Sequence, residues 1–232
     1  MTHMEIASSI RNRVADGLSG NINDQAFSID QLYDEIDLAR ADFINKYTGT
    51  TKLNTTYLLQ NIDRLNLQCL PFANAECCAA YCEGADCVPG VEIPTLSATY
   101  DNSAIEYLGI ENKQEKLLVY YDTSDMYNHQ FRIRTKHKPF AWVDTSMNSH
   151  GKMTIYFFNL GIYNPLQWIS IRAVFNHPSE VRSLDPDYLQ KEYPAPLHMQ
   201  NAIIDTLTEK YIRYFRTLNL IPVPNTQTDP VT

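Results

Sequence analysis

The stretch Phe140-Ala141-Trp142-Val143-Asp144, then Asn148-Ser149-His150-Gly151, then Met153-Thr154-Ile155-Tyr156-Phe157-Phe158, decides how this chain is read. Two runs rich in β-branched and aromatic residues flank a cluster of turn formers ending in glycine, the pattern of a β-hairpin. Outward from it lie further short β-type runs: Ala104–Leu108, Leu117–Tyr121 and Gln167–Phe175, the last preceded by the turn signal Asn164-Pro165. Upstream, Leu65, Leu67 and Cys69 alternate as one short strand. Several short strands at this spacing predict a small antiparallel sandwich or barrel.

Helical signals stand on both sides of the β-rich region. Thr2-x-x-Glu5 is a capping box, and Ile6, Ile10 and Val14 follow at helical spacing before Gly17 and Gly20. Ser28-x-x-Gln31 repeats the signal ahead of a longer helix with Ile29, Leu32, Ile36, Phe43 and Tyr47 on one face. The opposite face carries Asp30, Asp34, Asp37 and Arg40. Asp34 and Asp37 could suit a divalent ion, but with Arg40 a turn further on, a solvated stripe is the preferred reading. Pro178, Pro186, Pro194 and Pro196 mark a connector that cannot be regular helix. Beyond it, Ile204, Leu207, Tyr211, Phe215 and Leu218 step along a terminal helix, widened by Ile203, Ile212 and Tyr214.

The expected class is therefore α+β, a helical bundle from the N- and C-terminal helices with an inserted antiparallel β-sandwich or barrel. Expected segments are 1–60 for the first bundle helices and 61–181 for the β module with its cysteine-rich loop. Residues 182–221 form the connector and last helix, and 222–232 a mobile arm.

Among 232 residues, 27 acids against 19 bases leave a net charge of −8. That balance argues against a dedicated nucleic-acid binder and against a polybasic membrane anchor. The first residues lack the apolar core of a signal peptide, and no apolar run is long enough to span a bilayer. A protein folded in a cytoplasm, without membrane contact, is expected. The charge is uneven: between Glu76 and Asp125 ten acids face only Lys113 and Lys116, a local excess equal to that of the whole chain. Directly after it, Arg132, Arg134, Lys136 and Lys138 alternate with Phe131, Ile133, Thr135 and His137. If extended, this run places all four cations on one face, to meet phosphate or a neighbouring copy's acidic segment, or to guard an edge strand.

Little in the sequence points to catalysis or a cofactor. Phosphate-cradling glycine loops, a zinc-protease helix motif and a nucleophile elbow are all missing from its pattern. The six histidines are scattered, and His129 and His137 read as surface residues. Cys77, Cys78, Cys82 and Cys87, with Cys69 before them, could offer thiolates to a metal. Their spacing lacks the paired knuckles of structural zinc sites, so small buried thiols are the preferred reading, disulfides being disfavoured in a reducing compartment. No enzyme activity, cofactor or metal is expected.

Several stretches follow one another in order: Glu5-Ile6 with Ile10-Arg11; Leu32-Tyr33-Asp34-Glu35-Ile36 with Arg40; Glu76-Cys77-Cys78 with Cys87; and Ile93-Pro94. They continue with Ile169 through Val181, which includes Asn176-His177-Pro178-Ser179-Glu180, and with Glu192-Tyr193-Pro194-Ala195-Pro196. In this arrangement the chain resembles the neck ring or head-to-tail adaptor proteins of crAss-like podoviruses. The resemblance implies a structural virion protein without catalytic residues, a bundle carrying a β module. It implies a twelve-fold ring of copies below the portal, around the channel through which double-stranded DNA passes without tight binding. The expected partners are copies of the chain, the portal protein and further neck or tail proteins, in a virion assembled in the bacterial cytoplasm. Tyr211, Tyr214 and Phe215 offer more aromatic surface than one small bundle should hide, so they are expected at an interface, as are the four cations. A tail-fibre or receptor-docking module is the alternative, and a metalloprotein using the cysteines a remote one.

Overall fold

The first helix begins where the capping box places it. Thr2 Oγ1 accepts from the Glu5 amide at 3.2 Å, and the Thr2 amide donates to Glu5 Oε2 at 2.8 Å. In this computed structural model, residues 1–18, 28–48, 55–72, 87–97, 104–110, 116–132, 134, 137–148, 150–160 and 168–219 are described. Helix α1 spans His3–Gly17, and α2 spans Ile29–Thr48, starting directly after Ser28. Among the described residues the long helices are completed by the last one, Leu197–Asn219, called α4 below because the short helix Thr123–Asn128 is α3.

Ile6, Ile10 and Val14 of α1, Leu32, Ile36 and Ile44 of α2, and Met199, Ile203, Ile204 and Leu207 of α4 share one core. Leu58, Val174, Tyr193 and Ala195 join it, so the chain entering and leaving the β module is part of the bundle. Burial of each such side chain contributes about 1.5–3 kcal/mol against the entropy of ordering. Burial fades along the second half of α4. Tyr211 and Phe215 are half-buried, and Tyr214 is 56% exposed.

The β residues form two sheets. One has the order β1 (Gln60–Asn66), β8 (Trp168–Ala173), β4 (Ile105–Ile110). The other runs β2 (Gln68–Pro71), β3 (Cys87–Ile93), β7 (Met153–Phe158), β6 (Phe140–Asp144), β5 (Leu118–Tyr120). A shared apolar cluster fills the space between them, with Ile62 and Ile171 from one sheet and Val143 and Phe157 from the other. The module is thus a sandwich.

The hairpin forms as the sequence predicts, with β6 and β7 antiparallel and Trp142 opposite Tyr156. Asn148 Oδ1 accepts from the amides of His150 and Lys152, both at 3.0 Å, and Gly151 takes the positive φ of 70° that closes the turn. Both faces of this hairpin are buried. Phe140, Trp142, Tyr156 and Phe158 point away from the sandwich core into a second cluster with Phe72, Val88, Tyr120 and Met126.

Three expectations change. The expected single strand through Leu65, Leu67 and Cys69 is two strands in different sheets, with Leu67 at the crossing. β5 pairs parallel to β6, so the module is not antiparallel throughout. A parallel pair needs a crossover of about a dozen residues or more, and α3 with the turn His129–Phe131 supplies it. The described residues of the basic run do not form the expected strand. Asp122 caps α3 by accepting from the Ser124 amide at 2.7 Å, and the chain leaves the helix through turns at Arg134 and His137.

Candidate functional site

The residues read as a solvated stripe on α2 separate into two groups. Asp30 and Asp34 are exposed, whereas Asp37 and Arg40 are fully buried. Arg40 donates from Nε to the Pro194 carbonyl at 2.7 Å, from Nη1 to Phe175 at 2.8 Å and from Nη2 to Leu58 at 3.1 Å. Asp37 accepts from the Ser179 amide at 2.8 Å and from the Tyr193 hydroxyl at 2.9 Å. Burying a charge is costly unless its hydrogen-bonding groups are met, and here backbone carbonyls meet Arg40 while an amide and a phenol meet Asp37. Together they tie α2 to the chain before β1, the chain after β8 and the proline connector.

His3 closes this cluster from α1. Its Nε2 stands 3.7 Å from Asp37 Oδ1, and its Nδ1 is 3.3 Å from the Tyr188 hydroxyl. Its ring lies 4.4 Å from that of Tyr33 and 4.8 Å from that of Tyr193, centroid to centroid. Burial lowers the His3 pKa, against the opposing pull of Asp37, so the imidazole is held neutral. Burial, and then the Asp37 charge, push the phenols of Tyr188 and Tyr193 up. Sealed from solvent, the cluster ties segments together. Beside it lies an open cavity of about 280 Å³ lined by Gln60, Asp185, Tyr188 and Lys191 among others, where Lys191 already pairs with Asp185.

The expected interface aromatics do come together. Tyr211, Tyr214 and Phe215 form one wall of an open groove of about 560 Å³ between α2 and α4, and Gln31, Asp34, Glu35 and Lys210 form the rest. Tyr211 and Phe215 stack at 6.4 Å, and Tyr214 meets Phe215 edge-on at 5.5 Å. Lys210 Nζ pairs with Glu35 Oε1 at 3.0 Å. The Tyr211 phenol is pushed up by burial, then by its hydrogen bond to Glu35 and the charge there. Asp34 has no ion-pair partner among the described residues.

Three of the four expected interface cations are described. Arg132 folds back over the Tyr120 ring, 5.4 Å from its centroid, and approaches Asp125 at 3.6 Å. Arg134 and Lys138 are exposed, and Lys136 lies outside the described residues. His129 is fully buried rather than a surface residue: its Nδ1 is 2.9 Å from the Tyr120 hydroxyl and its ring 4.2 Å from that of Phe140. Phe131, which alternates with the cations in the sequence, is 74% exposed in the turn His129–Phe131. The Asp122 cap nine residues upstream was the available signal that the chain here is helical rather than extended.

Cys77, Cys78 and Cys82 lie outside the described residues, as does the side chain of Cys87. Cys69 is disulfide-bonded, which corrects the expectation of free thiols there. Its partner is one of the other four cysteines of the sequence, so the four-thiolate set cannot be intact while that bond exists. Among the described residues no group of His, Cys, Asp and Glu could hold a metal ion. Much of the acidic segment also lies outside the described residues. Its described acids are engaged: Glu92 accepts from Asn148, Glu106 pairs with Arg172, and Asp122 caps α3. No helix among the described residues is long and apolar enough to cross a membrane. Compared with known protein families and with curated protein sequences, the chain matches none.

Proposed function

We propose that this chain is a structural virion protein of a tailed bacteriophage, a ring-forming head-to-tail connector subunit around the DNA exit channel that joins portal to tail. One observation carries the reading. Three of the stretches that resemble such adaptors, Leu32–Arg40, Ile169–Val181 and Glu192–Pro196, converge on the buried tie around Arg40, where Phe175 and Pro194 supply acceptors. The resemblance thus falls on residues that hold the bundle to its inserted sandwich, the plan expected of those adaptors. The exposed aromatic end of α4 adds a surface suited to a partner. Passing DNA is met by an acidic chain, which disfavours sticking.

A reconstruction of virions containing the protein tests this: density for the chain in a closed ring between portal and tail is expected. Density at a peripheral fibre instead would replace the connector with a docking module.

A further inference from the structure

We infer that His3 is an acid-operated latch: its protonation frees the first turn of α1 from the connector while the sandwich keeps its fold. The inference goes beyond the connector reading above and does not depend on it. A sealed cluster of balanced charge, placed at the end of a helix, carries it.

His3 is the first residue of α1 and is 1% exposed. From α2 it faces Tyr33, Asp37 and, further out, Asp34; from the connector it faces Tyr188 and Tyr193. On the turn Pro178–Ser183, Glu180 faces Asp37 from another side and Arg182 faces Tyr33. Asp37 is already matched. Its carboxylate takes the Ser179 amide and the Tyr193 hydroxyl, and the buried Arg40, one turn along α2, senses its charge. One buried acid and one buried base leave the seal neutral, so a proton on His3 makes an uncompensated buried cation. The helix N-terminus adds to the cost, because its unpaired amides disfavour positive charge. Asp37 and Asp34 favour the imidazolium, but burial outweighs them.

The same helix end is joined to the connector by few bonds. The Tyr193 amide donates to the Met1 carbonyl at 2.9 Å, Thr2 bridges Glu192, and His3 Nδ1 is 3.3 Å from the Tyr188 hydroxyl. Downstream, Ile6, Ile10 and Val14 hold α1 in the bundle core. Opening the first turn alone breaks the former contacts and keeps the latter, so it is the least costly way to hydrate the imidazolium. Tyr188 and Glu192 also line the open cavity of about 280 Å³, so parting the two segments joins the His3 site to it.

Hydrogen–deuterium exchange of the full-length protein, corrected for the intrinsic pH dependence of amide exchange, tests this. Once released, His3 regains its ordinary value of 6.5, so the opening constant rises at most about tenfold per pH unit below it. Between about pH 7.5 and pH 5.5, peptides covering residues 1–8 and 187–195 should lose up to about tenfold of their protection. The β7 peptide, Met153–Phe158, should lose none. His3→Gln, which does not titrate, should remove the pH dependence. Unchanged protection at residues 1–8, an equal loss in β7, or a loss that persists in His3→Gln would each overturn the latch. Exchange at the imidazole C2 position, followed by mass spectrometry of the wild-type chain, reads the same device without a variant. His3 titrating below 6.5 is expected, and titration at or above that value overturns the latch.

Discussion

The Tyr193 hydroxyl donates to Asp37 at 2.9 Å across a sequence separation of 156 residues, and both side chains are buried. The same carboxylate takes the Ser179 amide, so one side chain on α2 fixes the proline connector and the start of the turn Pro178–Ser183. Tyr193→Phe removes one hydrogen bond and is expected to cost about 1–2 kcal/mol. Asp37→Ala leaves the tyrosine hydroxyl and an amide without their acceptor, and Arg40→Ala leaves three carbonyls without their donor. Each should cost about 3–5 kcal/mol. Urea unfolding monitored by circular dichroism measures all three, and an Arg40→Ala variant within about 1 kcal/mol of wild type would contradict the tie.

A pH dependence follows from His3. Burial lowers its pKa from the ordinary 6.5 in the folded chain. Below about pH 6.5 the unfolded chain therefore binds a proton that the folded chain does not, and stability falls as pH falls. Above that value the group has no effect. The slope from one such group is at most about 1.4 kcal/mol per pH unit. Melting temperatures of wild type and His3→Gln between pH 8 and pH 5 test this, since the variant should lose part of the decline. Parallel profiles for the two proteins would assign the acid sensitivity to other groups.

Gly90 sits in β3, the second strand of the five-stranded sheet, opposite Gln68 on one side and Tyr156 on the other. A methyl group there would lie 2.8 Å from Leu70 Cδ1 and 3.0 Å from the Ile155 carbonyl oxygen. The leucine can turn aside, but the carbonyl belongs to the β7 backbone and cannot move without disturbing the sheet. Gly90→Ala should therefore destabilise by about 1–3 kcal/mol. Denaturant unfolding reads this directly, and an unchanged midpoint would mean that β3 and β7 separate at little cost.

The features legible in the sequence are those specified locally. The Thr2–Glu5 box, the hairpin around Asn148–Gly151 and the helical spacing of Ile203, Ile204 and Leu207 depend on residues a few positions apart. Asp37 and Arg40 were misread because their partners come from far along the chain. A polar residue every third or fourth position on a helix looks the same whether it faces water or three distant carbonyls. His129 and the basic run failed for a related reason. Alternation of cationic and apolar residues suggests a strand, yet Asp122 had already started a helix and the parallel β5–β6 pair required a crossover. The aromatic end of α4 could be foreseen as surplus, but that α2 supplies the acidic side of its groove required the packing of the two helices.

The disulfide at Cys69 offers a direct check on the cysteine-rich region. Cys69 lies in β2, whose neighbour β3 begins at Cys87, and the three other cysteines fall between these strands in sequence. With five cysteines, one bond at Cys69 takes one sulfur from the set Cys77, Cys78, Cys82 and Cys87 and leaves three. Disulfide and four-thiolate zinc site are thus mutually exclusive. Protein purified without reductant, alkylated and digested, should yield a peptide containing Cys69 linked to a second cysteine peptide, with no stoichiometric zinc by elemental analysis. Cys69→Ser, or reduction of the wild type, should lower stability by about 2–4 kcal/mol, the usual range for a cross-link that restricts the unfolded chain. Five free thiols on alkylation of the unfolded, unreduced protein, together with one bound zinc in the folded protein, would reverse the assignment and return the cysteines to metal.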